Sequence, residues 1–266
     1  MCRILYFSGD TDSLPTATVF IDSLVDASYD DILAPSTPFQ HKDGFGFVVF
    51  GEVRGQKEEF TFKSVKPIFK ADEDIDNLKR ILKKFDRFAL GIHSRKASMG
   101  SVNTYNAHPY CFSTRQGITL FFMHNGTLLK EKLQETLKIN FENDFTDSYL
   151  FGLMMARKLT KLNNSSFVDF FKYSLPFIGS TLNTITMFAS VDNKFGAFMT
   201  AYSKKESDYT QLFTYKRENA YAFASSTVYS YAKGKGVLMD RVANGTTLFI
   251  EDVLSDSVIE NSALEE

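Results

Sequence analysis

A cysteine at position 2 carries its own base once the methionine before it is removed. Methionine aminopeptidases act when a small residue follows Met1, and the mature chain then begins with a thiol and a free α-amine on one residue. An α-amine with a pKa near ~8 can take the thiol proton, directly or through water, so one residue supplies nucleophile and general base. The same cysteine also reads as a small strand residue, because Ile4-Leu5-Tyr6-Phe7 follow closely and suit a buried strand.

Three further stretches hold residues of the right type. His93-Ser94-Arg95-Lys96-Ala97-Ser98-Met99-Gly100 follows the apolar run 88–92. An Arg at the end of a buried strand can grip a carboxylate through two parallel N–H groups, and Ser98 would add a hydroxyl donor. A strand-end Arg on the surface fits the same letters. Asn106-Ala107-His108-Pro109-Tyr110 fits a turn fixed by Pro109. His124-Asn125-Gly126 follows the apolar run 118–123. Asn-Gly there reads as a tight turn, or as an oxyanion hole made of the Asn amide and the Gly126 N–H. Thr146-Asp147-Ser148 opens an apolar helix. These are helix-capping residue types, and the Asp147 carboxylate could equally hold a substrate ammonium.

The elements that must position these groups are readable in outline. Residues 2–8 and 87–95 suit buried strands, and 16–27 have helical spacing. Asp43-Gly44-Phe45-Gly46 is a turn into a strand, and 45–53 with 58–65 form a hairpin. Residues 73–85 form an amphipathic helix with acids early and lysines late, as the helix dipole favours. A strand is expected at 118–124, and helices at 127–138, 147–161 and 165–174. Five strands follow, at 182–190, 195–203, 209–216, 219–225 and 246–250. Helices set between two β-rich regions make an α+β protein with layered sheets.

Composition removes several classes. The 266 residues are 44% hydrophobic, enough for a sizeable core. With 30 basic and 32 acidic residues the net charge is -2, which gives no footprint for nucleic acid or an anionic membrane. The 27 Phe and 12 Tyr residues, with no Trp, read as core filling. No apolar run approaches the ~20 residues that span a bilayer. The apolar stretch Ile4-Leu5-Tyr6-Phe7 is too short for a secretory h-region, and two cysteines build no disulfide framework, so a reducing cytoplasm is expected. Ala232-Lys233-Gly234-Lys235-Gly236 is expected to be a surface loop, and no Walker-type phosphate loop occurs.

Taken in order, Met-Cys-Arg at the start, Asp43-Gly-Phe-Gly, His93-Ser-Arg-Lys-Ala-Ser-Met-Gly, Asn106-Ala-His-Pro-Tyr, His124-Asn-Gly-Thr and Thr146-Asp-Ser resemble the class II, N-terminal-nucleophile glutamine amidotransferases. The chain resembles their stand-alone group, which lacks a fused synthase domain. The motifs cover residues 1–150. The remainder is similar in length and strand-rich character, with Ala224-Ser225-Ser226 resembling a late segment of that group.

The resemblance implies a four-layer αββα sandwich of two mostly antiparallel sheets, the Ntn-hydrolase fold, as a single glutamine amidotransferase domain over 1–266. It implies that Cys2 attacks the side-chain amide of L-glutamine and that Asn125 and Gly126 form the oxyanion hole. Arg95 and Ser98 would hold the α-carboxylate and Asp147 the α-ammonium, with His108 in a supporting role. Asp43, Gly44 and Gly46 would pack near the nucleophile. Ser98 stands where Thr is commoner and Tyr149 where many relatives have Glu, while Cys111 matches no family role and is expected to be buried. No cofactor and no metal are called for. Ammonia would be released or passed to a separate synthase subunit. Two alternatives stay open: a hydrolase of γ-glutamyl amides or peptides of the glutathione type, and a non-catalytic glutamine-binding or scaffold subunit.

Overall fold

The computed structural model describes residues 2–36, 38–139, 144–217, 219–255 and 258–264. Strand β1 (Arg3–Asp10) has buried side chains on both faces. Leu5 and Phe7 enter one core, and Ile4 and Tyr6 enter another. Burial on both sides is why this strand reads as an unbroken apolar run rather than an alternating one.

Two antiparallel sheets make the two inner layers. The first contains β1, β2 (Phe45–Val53), β3 (Gln56–Ser64), β4 (Arg87–Ser94), β9 (Leu212–Arg217), β10 (Ala220–Ser225) and β11 (Asp240–Arg241). Its order is β11-β9-β10-β1-β4-β2-β3, which puts β1 in the middle. The second contains β5 (Tyr110–Ser113), β6 (Thr119–Leu128), β7 (Ile178–Ala189), β8 (Phe195–Ala201), β12 (Thr246–Ile250) and β13 (Ile259–Ala263), in the order β13-β12-β8-β7-β6-β5. Between the sheets lie Tyr6, Phe50, Phe121, Met123, Met187 and Phe223.

Helices cover both outer faces. On the first sheet, α1 (Leu14–Tyr29), α2 (Asp72–Leu82) and α6 (Ser226–Gly234) bury Phe20, Leu24, Leu78 and Val228. On the second, α3 (Lys130–Leu137), α4 (Asp147–Lys158) and α5 (Asn164–Ser174) bury Leu133, Phe151 and Phe167. The result is the four-layer αββα sandwich, an α+β fold. No helix among the described residues is long and apolar enough to cross a membrane.

Several sequence expectations shift. The strand over 118–124 runs on to Leu128, so the expected helix at 127–138 begins only at Lys130. The Asn125-Gly126 pair is therefore no turn; it lies in β6, opposite Asn183 and Leu182 of β7, and the ladder slips between Gly126 and Leu128. The strand expected from 209 starts at Leu212. The residues 232–236 are not wholly loop, since Ala232–Gly234 are the last turn of α6. Cys111 is exposed, because the short edge strand β5 turns Tyr110 and Phe112 inward and Cys111 outward.

Candidate active site

The start of β1 fixes the neighbours of Cys2. Arg3 pairs with Ser94 at the end of β4, which leaves residue 2 beside residues 95 and 96. The Lys96 N–H reaches the Cys2 Sγ at 3.4 Å, and the thiol donates weakly to the Lys96 carbonyl at 3.6 Å. Asp43 locks this segment: its carboxylate accepts the Ala97 N–H at 2.8 Å, and its own N–H donates to the Arg95 carbonyl at 3.0 Å. Gly46, three residues on, lets the chain pass close to the backbone of residues 62 and 108. A Cβ on Gly46 would run into the carbonyl oxygens of His108 and Phe62. Burial pushes the Cys2 thiol up, against the Lys96 hydrogen bond and the positive charges of Arg95 and Arg3.

Arg95 is buried, and its guanidinium faces the turn that follows it. Nη2 donates to the Met99 carbonyl at 2.9 Å and Nη1 to the Ser101 carbonyl at 3.2 Å. A carboxylate approaching Arg95 must share or displace these carbonyls. Ser98 does not join the arginine: it is exposed and makes no hydrogen bond among the described residues.

A second group forms where β6 meets α4. Asn125 is buried, with its Oδ1 unpartnered among the described residues. A Cβ on Gly126 would run into the Thr181 carbonyl of β7, so only glycine lets the two strands come this close. Asp147 opens α4, while Thr146 is the capping residue and accepts the Tyr149 N–H at 3.0 Å. The Asp147 carboxylate accepts the Leu128 N–H at 2.7 Å and the Ser148 N–H at 2.8 Å. Ser148 Oγ bonds His124 Nδ1 at 2.8 Å. The first two residues of α4 thus grip β6 on either side of Asn125-Gly126.

Histidine joins the two groups. His93 Nε2 donates to the His124 carbonyl at 3.2 Å, which links β4 of one sheet to β6 of the other. The His108 ring lies 4.0 Å from that of His93 and 4.5 Å from that of Tyr110, and both its nitrogens lack a partner among the described residues. Burial, then the charges of His93, His124 and Arg95, hold His108 well below the usual histidine range. The Tyr110 hydroxyl bonds Thr146 Oγ1 at 2.6 Å and donates to the Asn106 carbonyl at 3.2 Å. Burial pushes Tyr110 up, and the charges of Arg95, Asp147 and Cys2 all reach it. Asn106 and Tyr110 also line a cleft of ≈ 490 Å³ with Lys63, Tyr105, Phe145 and Tyr149.

The structure adds residues that the motifs leave out. Arg3 and Asp31 are both fully buried, with Nη2 and Oδ2 2.5 Å apart. His41 Nε2 lies 2.7 Å from the same oxygen, and Thr227 donates to Oδ1 at 2.6 Å. The signal was available: a charged Arg3 stands directly before the apolar run of residues 4–7, and a buried charge there needs a partner.

By sequence, no family model matches the chain and no curated protein matches it. By structure, it is similar to the allosteric regulatory enzyme of purine biosynthesis, with a TM-score of 0.64 and 15% identity over 99% of this chain. It is similar to glutamine phosphoribosylpyrophosphate amidotransferase from B. subtilis, with a TM-score of 0.61 and 15% identity, again over 99% of this chain. The chain spans 49% of the length of each of these two. A glutamine aminotransferase class-II domain protein from Silicibacter pomeroyi matches over 100% of both chains, with a TM-score of 0.53 and 14% identity. At such identities the likeness is one of fold.

Proposed function

We propose that this chain is a class II glutamine amidotransferase-type hydrolase, a single domain over 1–266, whose nucleophile is Cys2 after removal of Met1. The observation that carries the reading is the joining of four motifs, far apart in sequence, at one end of the two sheets. Cys2 lies beside the segment of Arg95, Asp147 grips the strand of Asn125-Gly126, and the His93–His124 bond ties the pairs together. The fold, shared with solved structures that include a glutamine amidotransferase, supports it.

The chemistry follows from these groups. The α-amine of Cys2 takes the thiol proton, and the sulfur adds to the γ-carboxamide carbon of glutamine. The Asn125 amide and the Gly126 N–H hold the oxyanion. As the tetrahedral adduct collapses, the ammonium returns its proton to the departing nitrogen. The C–N bond breaks, ammonia leaves and a γ-glutamyl thioester remains. Water, deprotonated by the same amine, adds to the thioester; the C–S bond then breaks to give glutamate and the free thiol. Arg95 and Asp147 hold the α-carboxylate and α-ammonium, and His108 packs behind them. Ser98 would need the turn after Arg95 to rearrange before it could reach the carboxylate.

In a cytoplasmic setting ammonia would pass to a separate synthase subunit. The clamp reads only the amino-acid head, so γ-glutamyl amides and peptides of the glutathione type form the second reading. Mature protein, with loss of Met1 verified by intact mass, is assayed on glutamine and glutathione side by side. Hydrolysis of glutamine lost in Cys2→Ala, and labelling of Cys2 by diazo-oxo-norleucine, are expected. Full hydrolysis by Cys2→Ala overturns the reading, and no labelling of a chain that begins at Cys2 favours a glutamine-binding or scaffold subunit.

A further inference from the structure

A guanidinium with no solvent exposure is held in the interior only where its charge is answered. Arg3 is such a group, with Asp31 at 2.5 Å and the Tyr209 ring centroid 4.3 Å away. Its other arm serves the nucleophile: Nη1 donates to the carbonyl of Cys2 at 3.2 Å. Asp31 in turn is fixed from two sides, by His41 and by Thr227 at the start of α6. Burial alone would push the Asp31 carboxyl up; the hydrogen bond from His41 and the Arg3 charge hold it well below the usual carboxylate range. Burial holds His41 down to about 4, so it donates to Asp31 as a neutral ring.

We infer that Arg3, anchored by Asp31, is a positioning residue for Cys2: it fixes the main chain of the nucleophile and places a permanent positive charge beside its thiol and α-amine. The charge favours thiolate over thiol and amine over ammonium, the two forms that attack and proton transfer need. The charged and titratable groups around Cys2 are few. Arg95 is the other cation; its charge bears on the thiol ahead of that of Arg3, but its donors are turned toward the carbonyls of residues 99–101. The Lys96 ammonium sits 3.9 Å from Asp43, and the hydroxyls of Tyr110 and Tyr209 are both pushed up by burial. Arg3 alone among these donates to the Cys2 backbone. The part concerning the α-amine rests on the function proposed above; the part concerning the thiol does not.

The test measures iodoacetamide alkylation of Cys2 in the full chain across the thiol titration range, by peptide mass, which separates Cys2 from the exposed Cys111. Arg3→Gln is expected to move the alkylation midpoint up by at most about one pH unit, the lower end of what a neighbouring cation does. Arg3→Lys keeps the charge and should keep the midpoint. Because Arg3→Gln leaves Asp31 without its cation and can unfold the chain, Arg3→Gln/Asp31→Asn is the companion; it removes both charges, and since loss of the Asp31 carboxylate acts the opposite way its upward move should be smaller. A folded variant without the Arg3 charge whose midpoint stays in place overturns the inference. The thiol is read whether or not the protein hydrolyses anything. A moved midpoint with no glutaminase activity therefore sinks the proposed function and leaves this inference standing.

Discussion

Acid should weaken this fold well before its carboxylates titrate, because all four histidines are buried. Burial holds His41 down to about 4 and His93 to about 3, against 6.5 for a free ring. Below 6.5 the unfolded chain binds protons that the folded chain refuses, so stability falls as pH falls, until the folded pKa is reached. Each pH unit of that difference is worth ~1.4 kcal/mol per group, so going from about pH 8 to about pH 5 costs about 2 kcal/mol per histidine. His41 and His93 together lose about 4 kcal/mol, a large share of the roughly 5–15 kcal/mol a domain possesses. His108 and His124 are shifted the same way and add to the loss. Asp31 has the depressed-acid sign: its contribution is present above the unfolded value of ~3.9 and is lost only as pH falls through its still lower folded pKa, outside this window. Urea unfolding at both pH values measures the difference. His93→Gln retains a donor for the His124 carbonyl but cannot titrate, so its loss should be smaller by about 2 kcal/mol. Equal urea midpoints at the two pH values, or an unchanged difference in His93→Gln, would refute the reasoning.

Three substitutions probe the second group of the site. Asn125→Ala should lower ammonia release from glutamine by ~10²–10³ in kcat, with KM little changed, as for loss of an oxyanion donor; equal loss in KM alone would assign Asn125 to substrate binding instead. Gly126→Ala should destabilise by about 1–3 kcal/mol in urea, because a Cβ meets the Thr181 backbone rather than a flexible side chain. Asp147→Asn turns one acceptor oxygen into an amide NH2, which can only donate, so either the Leu128 or the Ser148 N–H loses its partner, at about 1–3 kcal/mol. If Asp147 also holds the substrate ammonium, KM for glutamine rises at least ~10-fold in the same variant; lowered stability with an unchanged KM would leave it a purely structural residue.

What could be read from the sequence was local. The hairpin of β2 and β3 fell where alternation put it, and α2 showed its acids and bases at opposite ends. Periodicity reached an α+β protein and stopped there; the αββα layering came from the resemblance. What stayed hidden depended on partners distant in sequence. Asn125-Gly126 carries the letters of a turn, yet the strand runs on through a register slip to Leu128, whose N–H is held by Asp147, 19 residues further on. The Arg3–Asp31 pair spans another long gap, and nothing local marks Asp31 out from Asp30. Helix α6 was missed because it is short and mostly Ser, Thr and Tyr, with its burial resting on Val228 and Ala232. Ser98 matched a motif in type, but backbone geometry leaves its side chain on the surface.

The N-terminal nucleophile proposed for this chain sets a particular problem, since chain ends fray unless something ties them down. This topology meets it by making the first strand the central one. β1 is flanked by β10 on one side and β4 on the other; the β4 ladder holds it from Arg3 and the β10 ladder from Leu5. Because β1 and β4 are antiparallel, the beginning of the first meets the end of the second, and Cys2 lands beside the segment of Arg95. The end of β6 reaches the same end of the sandwich through the His93–His124 bond, and the start of α4 arrives on top of it. The ladders fix the strand only from Arg3 onward, and the buried Arg3–Asp31 pair carries the restraint one residue further, to the Cys2 carbonyl. A shift of one residue in β1 would exchange its two faces and send Arg3 from Asp31 toward the opposite side of the sheet. The pair inferred to position Cys2 therefore also favours the register that puts Cys2 there.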